Sequence, residues 1–572
     1  ITYKLNDGKN NKSNPSTYTI KTKTIKLKNP TRKGYGFGGW YTDKKFKNKI
    51  TKIKKGSTGK ITLYAKWEKE YKATSTSAKI TSCKATAVNT IKVKATIEKR
   101  VKSSDNYYYL VTIDPNTNKI LRKVAKTDKS KKISFQLDTR ENRGYALAKY
   151  AIAIKSGDKY KQISKTSANI SNPEKLAAYT SAYHLGATKK GLQISSVGEA
   201  TETGCGNVFL NLNISSVLSG DQAYTYNGKT YHFSTGGCSG AIEMACNAGL
   251  NVTMQIMLDE AAYKMDSSLV AKEARSHPYY TWNTKDKKAR EKMEALFCFL
   301  AETFGTDERY VSNWILGNEV NADYAYHWRG SMSDGDFLSS YAYSYRVLYS
   351  AVRSVRSSSR VFICLDDMWT HNNVAGGIPS KTFAKKVNKL QKNVSWNVAF
   401  HPYTANIFEP SFWDDSSCPA GMSYLVTNST NSPFVTMKNL NVLTDYVKNT
   451  YGKEHRIILS EIGFNGAGSS NQTKQAAALA YAYNKAACND MVDAFIIRTY
   501  RDDAGEAAQG LYFGLTDSNG KKRPAYNVFK YMDTKKAEKY TKKYVKTCGG
   551  SSWKSLVKGY STKKLYTNNG MK

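Results

Sequence analysis

Apolar and polar residues alternate in two different ways along this chain, and the pattern changes near residue 186. Across residues 91–97, isoleucine, valine and alanine alternate with lysine and threonine, and this period of two predicts a half-buried strand. Further strands are predicted at 107–113 and 133–137, with turn-forming residues between them. Residues 71–175 are therefore predicted to form a β-sandwich.

After residue 186, short apolar runs alternate with longer segments of helical pattern, such as 289–304 and the alanine-rich 476–487. Near-continuous apolar strands joined by helices predict a parallel sheet that is buried on both faces. Eight such units predict an α/β fold of the (β/α)8 type, a TIM barrel, over residues 176–534. The alternative is a doubly wound sheet, but no Gly-rich nucleotide loop follows the first run. The eight runs lie at 192–197, 208–214, 252–258, 314–316, 361–365, 394–400, 457–459 and 494–497.

The first 70 residues have the pattern of a small β module, in which four glycines at 34–39 are followed by a Gly-Ser-Thr-Gly turn at 56–59. Three segments carry a more specific signature. They are Asn-Pro-Thr-Arg-Lys-Gly-Tyr at 29–35, Phe37 with Gly-Trp-Tyr at 39–41, and Ile-Thr-Leu-Tyr-Ala-Lys-Trp at 61–67. The module resembles the Listeria–Bacteroides repeat, the internalin B type of β-grasp module. This resemblance implies a bacterial protein that is secreted or held at the cell surface, with the module as a spacer or attachment.

The net charge of +41 is distributed unevenly among the predicted domains. Residues 1–70 and 71–175 each carry about +15, residues 535–572 about +10, and residues 176–534 only about +1. A nucleic-acid enzyme would show its basic surface around its active site, so this distribution argues against that class. We expect the basic flanks to contact an anionic surface such as a cell-wall polymer, or to keep the protein soluble.

The β-sandwich at 71–175, of immunoglobulin or fibronectin type, shows no catalytic constellation and is predicted to be a spacer. Residues 535–572 are predicted to be a basic tail or the start of a further module. The nine cysteines show no metal-ligand spacing, and neither a metal nor another cofactor is expected. Cys205 and Cys238 lie in Gly-rich loops and are candidates for a disulfide. No run of about 20 apolar residues predicts a transmembrane segment, and the chain begins at Ile1, so we expect that a segment precedes it.

Two glutamates directly follow predicted strands whose ends meet at the mouth of the barrel. The fourth run leads into Gly-Asn-Glu at 317–319, and the seventh leads into Ser460 and Glu461. An acidic group at the end of an apolar strand is costly to bury unless it is paired or functional. Glycoside hydrolysis needs such a pair, because one acid protonates the leaving oxygen while one carboxylate attacks the anomeric carbon or activates water. The alternative is that each glutamate caps a helix or pairs with an arginine.

This arrangement resembles glycoside hydrolase clan A, the retaining (β/α)8 superfamily, over about residues 186–534. The resemblance implies that Glu319, which follows Asn318 after the fourth strand, is the general acid/base. It implies that Glu461, after the seventh strand, is the nucleophile. It further implies that His401 and Tyr403, after the sixth strand, contact the nucleophile.

The chain departs from the clan at two strand ends. Arg498 and Tyr500 stand after the eighth strand, where the clan has a tryptophan, and Asn211 and Asn213 stand near the position of its strand-two arginine. We expect Arg498 to contact an anionic sugar or to pair with Glu461 and hold it ionised. The predicted substrate-binding residues are Asn318, His401, Tyr403, Asn213, Asp259, Trp282, Asp366, Trp369, Arg498 and Tyr500.

The sequence therefore predicts a secreted or surface glycoside hydrolase that cleaves a poly- or oligosaccharide by a retaining two-carboxylate mechanism. A serine hydrolase is not favoured, since no Gly-x-Ser-x-Gly elbow surrounds Ser195 or Ser460. The alternative is a non-catalytic carbohydrate-binding or adhesion protein with a degenerate barrel.

Overall fold

The computed structural model describes residues 1–165, 168–271 and 276–568. The chain divides into two units, of which the first comprises Ile1–Glu141 with Tyr145–Asn172. The second begins at Pro173 and also includes Asn142–Gly144. Each unit has its own sheets and its own buried core.

The first 69 residues form a four-stranded sheet in the order β1-β6-β3-β4, beside a two-stranded sheet of β2 and β5. Leu63 and Ala65 of β6 are buried because alternate side chains of a strand point to the same face. They pack with Trp40 of β3 in one apolar cluster. The strands are β1 (Thr2–Lys4), β2 (Ile25–Lys26), β3 (Tyr35–Tyr41), β4 (Lys49–Ile50), β5 (Lys52–Ile53) and β6 (Thr62–Lys69).

A four-stranded sheet, β10-β9-β12-β13, and a three-stranded sheet, β11-β8-β7, follow in the same unit. In β8 the four apolar residues at 91, 93, 95 and 97 are buried, as the period of two predicts. The strands are β7 (Ala78–Ala87), β8 (Thr90–Ile97), β9 (Tyr107–Ile113), β10 (Ile120–Asp128), β11 (Lys132–Asp138), β12 (Tyr150–Ser156) and β13 (Lys159–Gln162), with a short helix α1 (Gly144–Leu147) between β11 and β12.

The second unit is a closed barrel of eight parallel strands, in the order β14-β15-β18-β19-β20-β21-β22-β23, which confirms the predicted TIM barrel. A hairpin of β16 and β17 is inserted between the second and third barrel strands. The strands are β14 (Lys190–Gln193), β15 (Asn207–Asn213), β16 (Gln222–Tyr226), β17 (Lys229–Phe233), β18 (Asn251–Met257), β19 (Asn313–Leu316), β20 (Arg360–Leu365), β21 (Asn397–Phe400), β22 (Ile457–Ile462) and β23 (Val492–Ile497).

Each of the eight predicted apolar runs overlaps one barrel strand, because parallel strands covered on both faces are largely apolar. The first run differs at its end, where β14 stops at Gln193 and Val197 begins a helix. Side chains from six strands fill one buried cluster with Phe209, Ile315, Phe362, Cys364, Ala399, Ile458, Ala494 and Ile496.

The helices of the second unit include the two that the sequence pattern predicts, now found at Lys287–Thr303 and Gly468–Ala487. No helix within the described residues is long and apolar enough to cross a membrane. The helices are α2 (Val197–Thr203), α3 (Ile214–Leu218), α4 (Ser239–Asn247), α5 (Glu260–Met265), α6 (Lys287–Thr303), α7 (Asp323–Tyr326), α8 (Asp334–Val355), α9 (Ser380–Leu390), α10 (Asn441–Tyr451), α11 (Gly468–Ala487), α12 (Ala504–Ala507), α13 (Pro524–Tyr531), α14 (Ala537–Thr541), α15 (Trp553–Leu556) and α16 (Thr562–Tyr566).

The basic segment after residue 534 folds as short helices that pack on α11. The hydroxyl of Tyr481 donates to the carbonyl of Leu556 at 3.1 Å, and that of Tyr483 donates to the carbonyl of Leu565 at 2.8 Å. Trp553 is buried and lies beside the ring of Tyr481. This segment therefore belongs to the packing of the barrel unit.

Candidate active site

A pocket of about 510 Å³ lies at the carboxyl ends of the barrel strands. This is the end at which TIM-barrel enzymes place their active sites, because the βα loops there bring polar side chains together. Both candidate glutamates line it, from the fourth and seventh strands. The other polar lining residues on the barrel strands or directly after them are Asn211, Gln255, Asn318, Asp366, Asp367, Tyr403 and Arg498.

Glu319 stands on a turn with an unusual backbone. Gly317 leaves β19 with φ of +78°, and Glu319 itself has φ of +37°, which a residue with a side chain rarely adopts. The carbonyl of Glu319 accepts from the amide of Ala322 at 2.7 Å, and the amide of Val320 donates to the carbonyl of Cys364 at 2.9 Å. Neighbouring strands thus hold the glutamate in a strained position, a feature that clusters at functional sites.

His401 is fully buried between Glu319 and Cys364. Its Nδ1 lies 2.8 Å from Oε1 of Glu319, and its Nε2 lies 3.3 Å from the Cys364 sulfur. Burial alone lowers the pKa of His401, but Cys364, the charge of Glu461 and the hydrogen bond with Glu319 raise that pKa overall, well above its ordinary value. A proton on Nδ1 lets His401 donate to the glutamate and fix one carboxyl oxygen.

Tyr403 contacts the other candidate glutamate, Glu461. Its hydroxyl donates to Oε1 of Glu461 at 2.9 Å. Burial and the nearby Glu461 charge raise the pKa of Tyr403 well above its ordinary value, so the phenol keeps its proton and remains a donor. The two residues predicted to contact the nucleophile are therefore divided: Tyr403 contacts Glu461, whereas His401 contacts Glu319.

Arg498 forms its ion pair with Glu506, a residue of the short helix α12, and donates to the side-chain oxygen of Gln193 at 3.1 Å. Burial lowers the pKa of Arg498, but the charges of Glu461 and Glu506 raise it overall above its ordinary value. Within the described residues the predicted ion pair with Glu461 is thus replaced by one with Glu506. The charge of Glu461 still acts on Arg498 without a direct hydrogen bond.

Asp366 and Asp367 follow β20 and place two more carboxyl groups beside Glu319. Asp366 is 2% exposed, and its Oδ1 accepts from Asn321 at 2.6 Å and from Ser380 at 3.0 Å. Burial and the neighbouring Glu319 raise the pKa of Asp366 to about 7. Burial, Asp366 and Glu319 raise the pKa of Asp367 well above its ordinary value.

Several lining residues were not among the predicted candidates. Gln255 in the middle of β18 donates to the side-chain oxygen of Asn318 and to the carbonyl of Gly317, each at 3.0 Å, and so orients the Asn-Glu turn. Tyr279 lines the pocket from a loop, Tyr326 from the end of α7, and Glu506 from α12. A glutamine within a strand that is buried on every residue was a readable signal, whereas residues of loops and short helices have no periodicity that marks them.

Six predicted substrate-binding residues lie outside the pocket lining, among them His401, which is fully buried between Glu319 and Cys364. Their positions give no support to the predicted contact with a substrate, because each has another structural place. Asn213 is exposed at the start of α3, Asp259 accepts from the Ser215 amide, Trp282 packs on Phe297, the buried Trp369 donates to the Thr430 carbonyl, and Tyr500 donates to Glu202.

Two further expectations from the sequence concern the cysteines and the possible metal ligands. All nine cysteines are free, including Cys205 and Cys238, so the candidate disulfide is not formed. Within the described residues no group of three or more His, Cys, Asp or Glu side chains is arranged to hold a metal ion.

The chain belongs to the family of unknown function DUF5722, whose family model matches residues 182–556. The model of the Listeria–Bacteroides repeat domain matches residues 1–66, which confirms the resemblance drawn from the N-terminal segments. No match was found among curated proteins.

Solved structures similar to this chain include several glycoside hydrolases. One is a family 39 glycoside hydrolase from the gut symbiont Bacteroides cellulosilyticus WH2, at 15% identity and a TM-score of 0.44, covering 79% of this chain and 82% of that one. Another is a Bacteroidetes-affiliated GH5 cellulase, at 13% identity and a TM-score of 0.40, covering 66% and 94%. A third is the Bacteroides uniformis β-glucuronidase, at 9% identity and a TM-score of 0.36, where the match covers 79% of this chain and 49% of that one.

Proposed function

We propose that this protein is a retaining glycoside hydrolase that cleaves a poly- or oligosaccharide in the barrel pocket. The observation that carries the proposal is that Glu319 and Glu461, from the fourth and seventh strands, line one pocket at the catalytic end of a (β/α)8 barrel. A barrel that only binds sugar needs no pair of carboxyl groups there. Hydrolysis needs both, one as acid and one as nucleophile.

The roles of the two glutamates follow the resemblance to clan A, in which the residue after the fourth strand is the acid/base and the residue at the end of the seventh is the nucleophile. Each carboxyl group is held by one hydrogen bond, Glu461 by the Tyr403 hydroxyl and Glu319 by His401. We therefore assign Glu461 as the nucleophile, which attacks the anomeric carbon and forms a glycosyl-enzyme bond. Glu319 gives its proton to the leaving oxygen and then takes one from the attacking water. His401 holds one Glu319 oxygen during both steps.

The basic first unit supports a second part of the proposal, that the enzyme is secreted or bound at the cell surface. Residues 1–175 carry about +30 of the net charge of +41. Exposed positive charge of this density attracts anionic polymers, such as those of a cell wall. The unit would hold the enzyme at a surface while the near-neutral barrel acts on sugar.

A release screen followed by stereochemistry tests the proposal. The purified chain is incubated with bacterial, plant and host polysaccharides, and released reducing sugar is measured. For a substrate found in this way, proton NMR during the first minutes identifies the first anomer formed. We expect the configuration of the cleaved bond to be retained. The opposite anomer would contradict the nucleophilic role of Glu461, and binding without release would favour the carbohydrate-binding alternative.

A further inference from the structure

The charged groups of the pocket are almost all acidic. Five carboxyl groups line it, whereas Arg498 is the one basic side chain among its described lining residues. That guanidinium is already paired with Glu506 and bonded to Gln193. The five acidic residues are Glu319, Asp366, Asp367, Glu461 and Glu506.

Two of these carboxyl groups accompany the candidate catalytic pair. The charge of Glu319 acts on Asp366, and the charge of Glu461 acts on Glu506, so each glutamate has an acidic neighbour. Neither neighbour is required for the two-carboxylate reaction. The two-carboxylate reaction therefore does not account for their presence in the lining.

One carboxyl oxygen of Asp366 can accept a hydrogen bond that the described residues do not supply. Its Oδ1 is held by Asn321, Ser380 and the Met368 amide, but its Oδ2 is buried and has no hydrogen-bond partner within the described residues. A buried polar atom without a partner is destabilising, because it has lost its contact with water and gained no hydrogen bond in exchange. Oε2 of Glu506, in the same lining, is also buried without a partner. Each of these two oxygens can therefore accept a hydrogen bond from a bound ligand.

Resting on the proposed function, we infer that the pocket selects uncharged sugar units over uronic acids, and that Asp366 determines this specificity by accepting a hydrogen bond from a sugar hydroxyl. A hydroxyl supplies the donor that Oδ2 lacks and brings no charge. A sugar carboxylate supplies no donor and adds a further carboxyl group to a lining that is already acidic. It would also have to compete with Glu506 for Arg498.

Binding of uncleavable ligand pairs tests this inference separately from hydrolysis. The probes are 4-nitrophenyl 1-thio-β-glycosides of glucose, galactose and mannose, each with its C6-oxidised uronic acid counterpart. Their sulfur link resists hydrolysis, so calorimetry with the full chain measures binding alone. We expect at least one neutral member to bind, and its uronic acid partner to bind at least about tenfold more weakly.

Asp366→Asn is the diagnostic variant, because asparagine keeps the shape but loses the charge. The substitution should weaken binding of the neutral probe by about tenfold. The ratio between the dissociation constants of the uronic acid and the neutral probe should therefore become smaller. Asp415→Asn, at an exposed aspartate paired with Lys438, is the matched control and should bind like wild type. Circular dichroism and thermal melting establish that both variants fold.

The outcomes separate this inference from the proposed hydrolysis. A uronic acid that binds as tightly as its neutral partner, an Asp366→Asn variant with unchanged binding, or no binding by any neutral probe would overturn the inference. Neutral binding without hydrolysis of the matching O-glycoside would uphold the inference but contradict the hydrolase. Hydrolysis with a preference for uronic acids would support the hydrolase but overturn the inference.

Discussion

The hydroxyl of Tyr403 lies 2.9 Å from Oε1 of Glu461 and donates a hydrogen bond to it. The bond joins the loop after the sixth barrel strand to the end of the seventh. Because the donor is a phenol whose pKa is raised, it stabilises the charged carboxylate without itself giving up the proton. The bond thus fixes the position of one Glu461 carboxyl oxygen.

Tyr403→Phe removes this one hydrogen bond and leaves the ring in place. We expect kcat/KM on a confirmed substrate to fall by about tenfold to a hundredfold, since a hydrogen bond to a charged group contributes about 1.5–3 kcal/mol. Steady-state kinetics measures the change, and thermal melting checks the fold.

Tyr226→Phe is the matched control for that variant. The Tyr226 hydroxyl also donates to a carboxylate, that of Glu294 at 2.7 Å, but this tyrosine lies outside the pocket lining. Its kcat/KM should stay close to wild type. Equal losses in the two variants would show that the Glu461 contact has no special part in catalysis.

Asp366→Asn should change how stability depends on pH. The pKa of Asp366 is raised from 3.8 to about 7, so between these values the folded state keeps a proton that the unfolded state releases. The free energy of unfolding of the wild type therefore falls as pH rises through this window, and this contribution levels off above about pH 7. Asparagine cannot ionise, so the free energy of unfolding of the variant lacks this decrease with rising pH.

The melting temperature of Asp366→Asn relative to wild type should therefore rise by several degrees between pH 4 and pH 8. Differential scanning calorimetry across this range measures the difference. The same substitution at Asp415 controls for the loss of one carboxyl group. A difference that stays constant with pH, or that falls, would contradict the raised pKa.

The barrel and its two candidate glutamates were predictable because each depends on local sequence. Strands such as Val492–Ile497 are buried on every residue, and this produces an apolar run that can be counted. Glu319 and Glu461 stand at the ends of such runs, where an acid is conspicuous. The division of His401 and Tyr403 between two acids depends on side-chain directions across three strands, which spacing does not encode.

The aromatic candidates Trp282 and Trp369 lie outside the pocket lining, and the reason is different. A tryptophan that stacks on sugar and one that packs in a core have the same sequence signature, and both Trp282 and Trp369 are buried. Conversely, Glu506 comes eight residues after Arg498 on a four-residue helix, and only the folded loop brings their side chains together.

Removal of residues 1–172 should leave hydrolysis of a small soluble substrate within about twofold of the full chain. Retention on an anionic polymer, such as immobilised teichoic acid, should be lost, because the truncated chain keeps only about +11 of net charge. The cut precedes Pro173–Leu176, which has buried residues in the barrel unit.

Salt separates electrostatic retention from specific binding in that experiment. Retention of the full chain should fall steeply between about 0.05 and 0.5 M NaCl, because exposed charges are screened. Co-sedimentation with the polymer measures it. Retention that is equal with and without residues 1–172, or that is independent of salt, would contradict an attachment role based on charge.

The most direct test of the two-carboxylate mechanism compares Glu319→Gln with Glu461→Gln on a natural glycan and on an activated aryl glycoside, with and without azide. Glu461→Gln should hydrolyse both substrates several orders of magnitude more slowly than wild type, because the nucleophile is gone. Glu319→Gln should hydrolyse the natural glycan about 10²–10⁴-fold more slowly. Its first step on the aryl glycoside should survive, because that leaving group needs no proton, and azide should restore turnover as a glycosyl azide. Glu538→Gln, at an exposed glutamate, should match wild type. Hydrolysis at the wild-type rate by both pocket variants would contradict the mechanism.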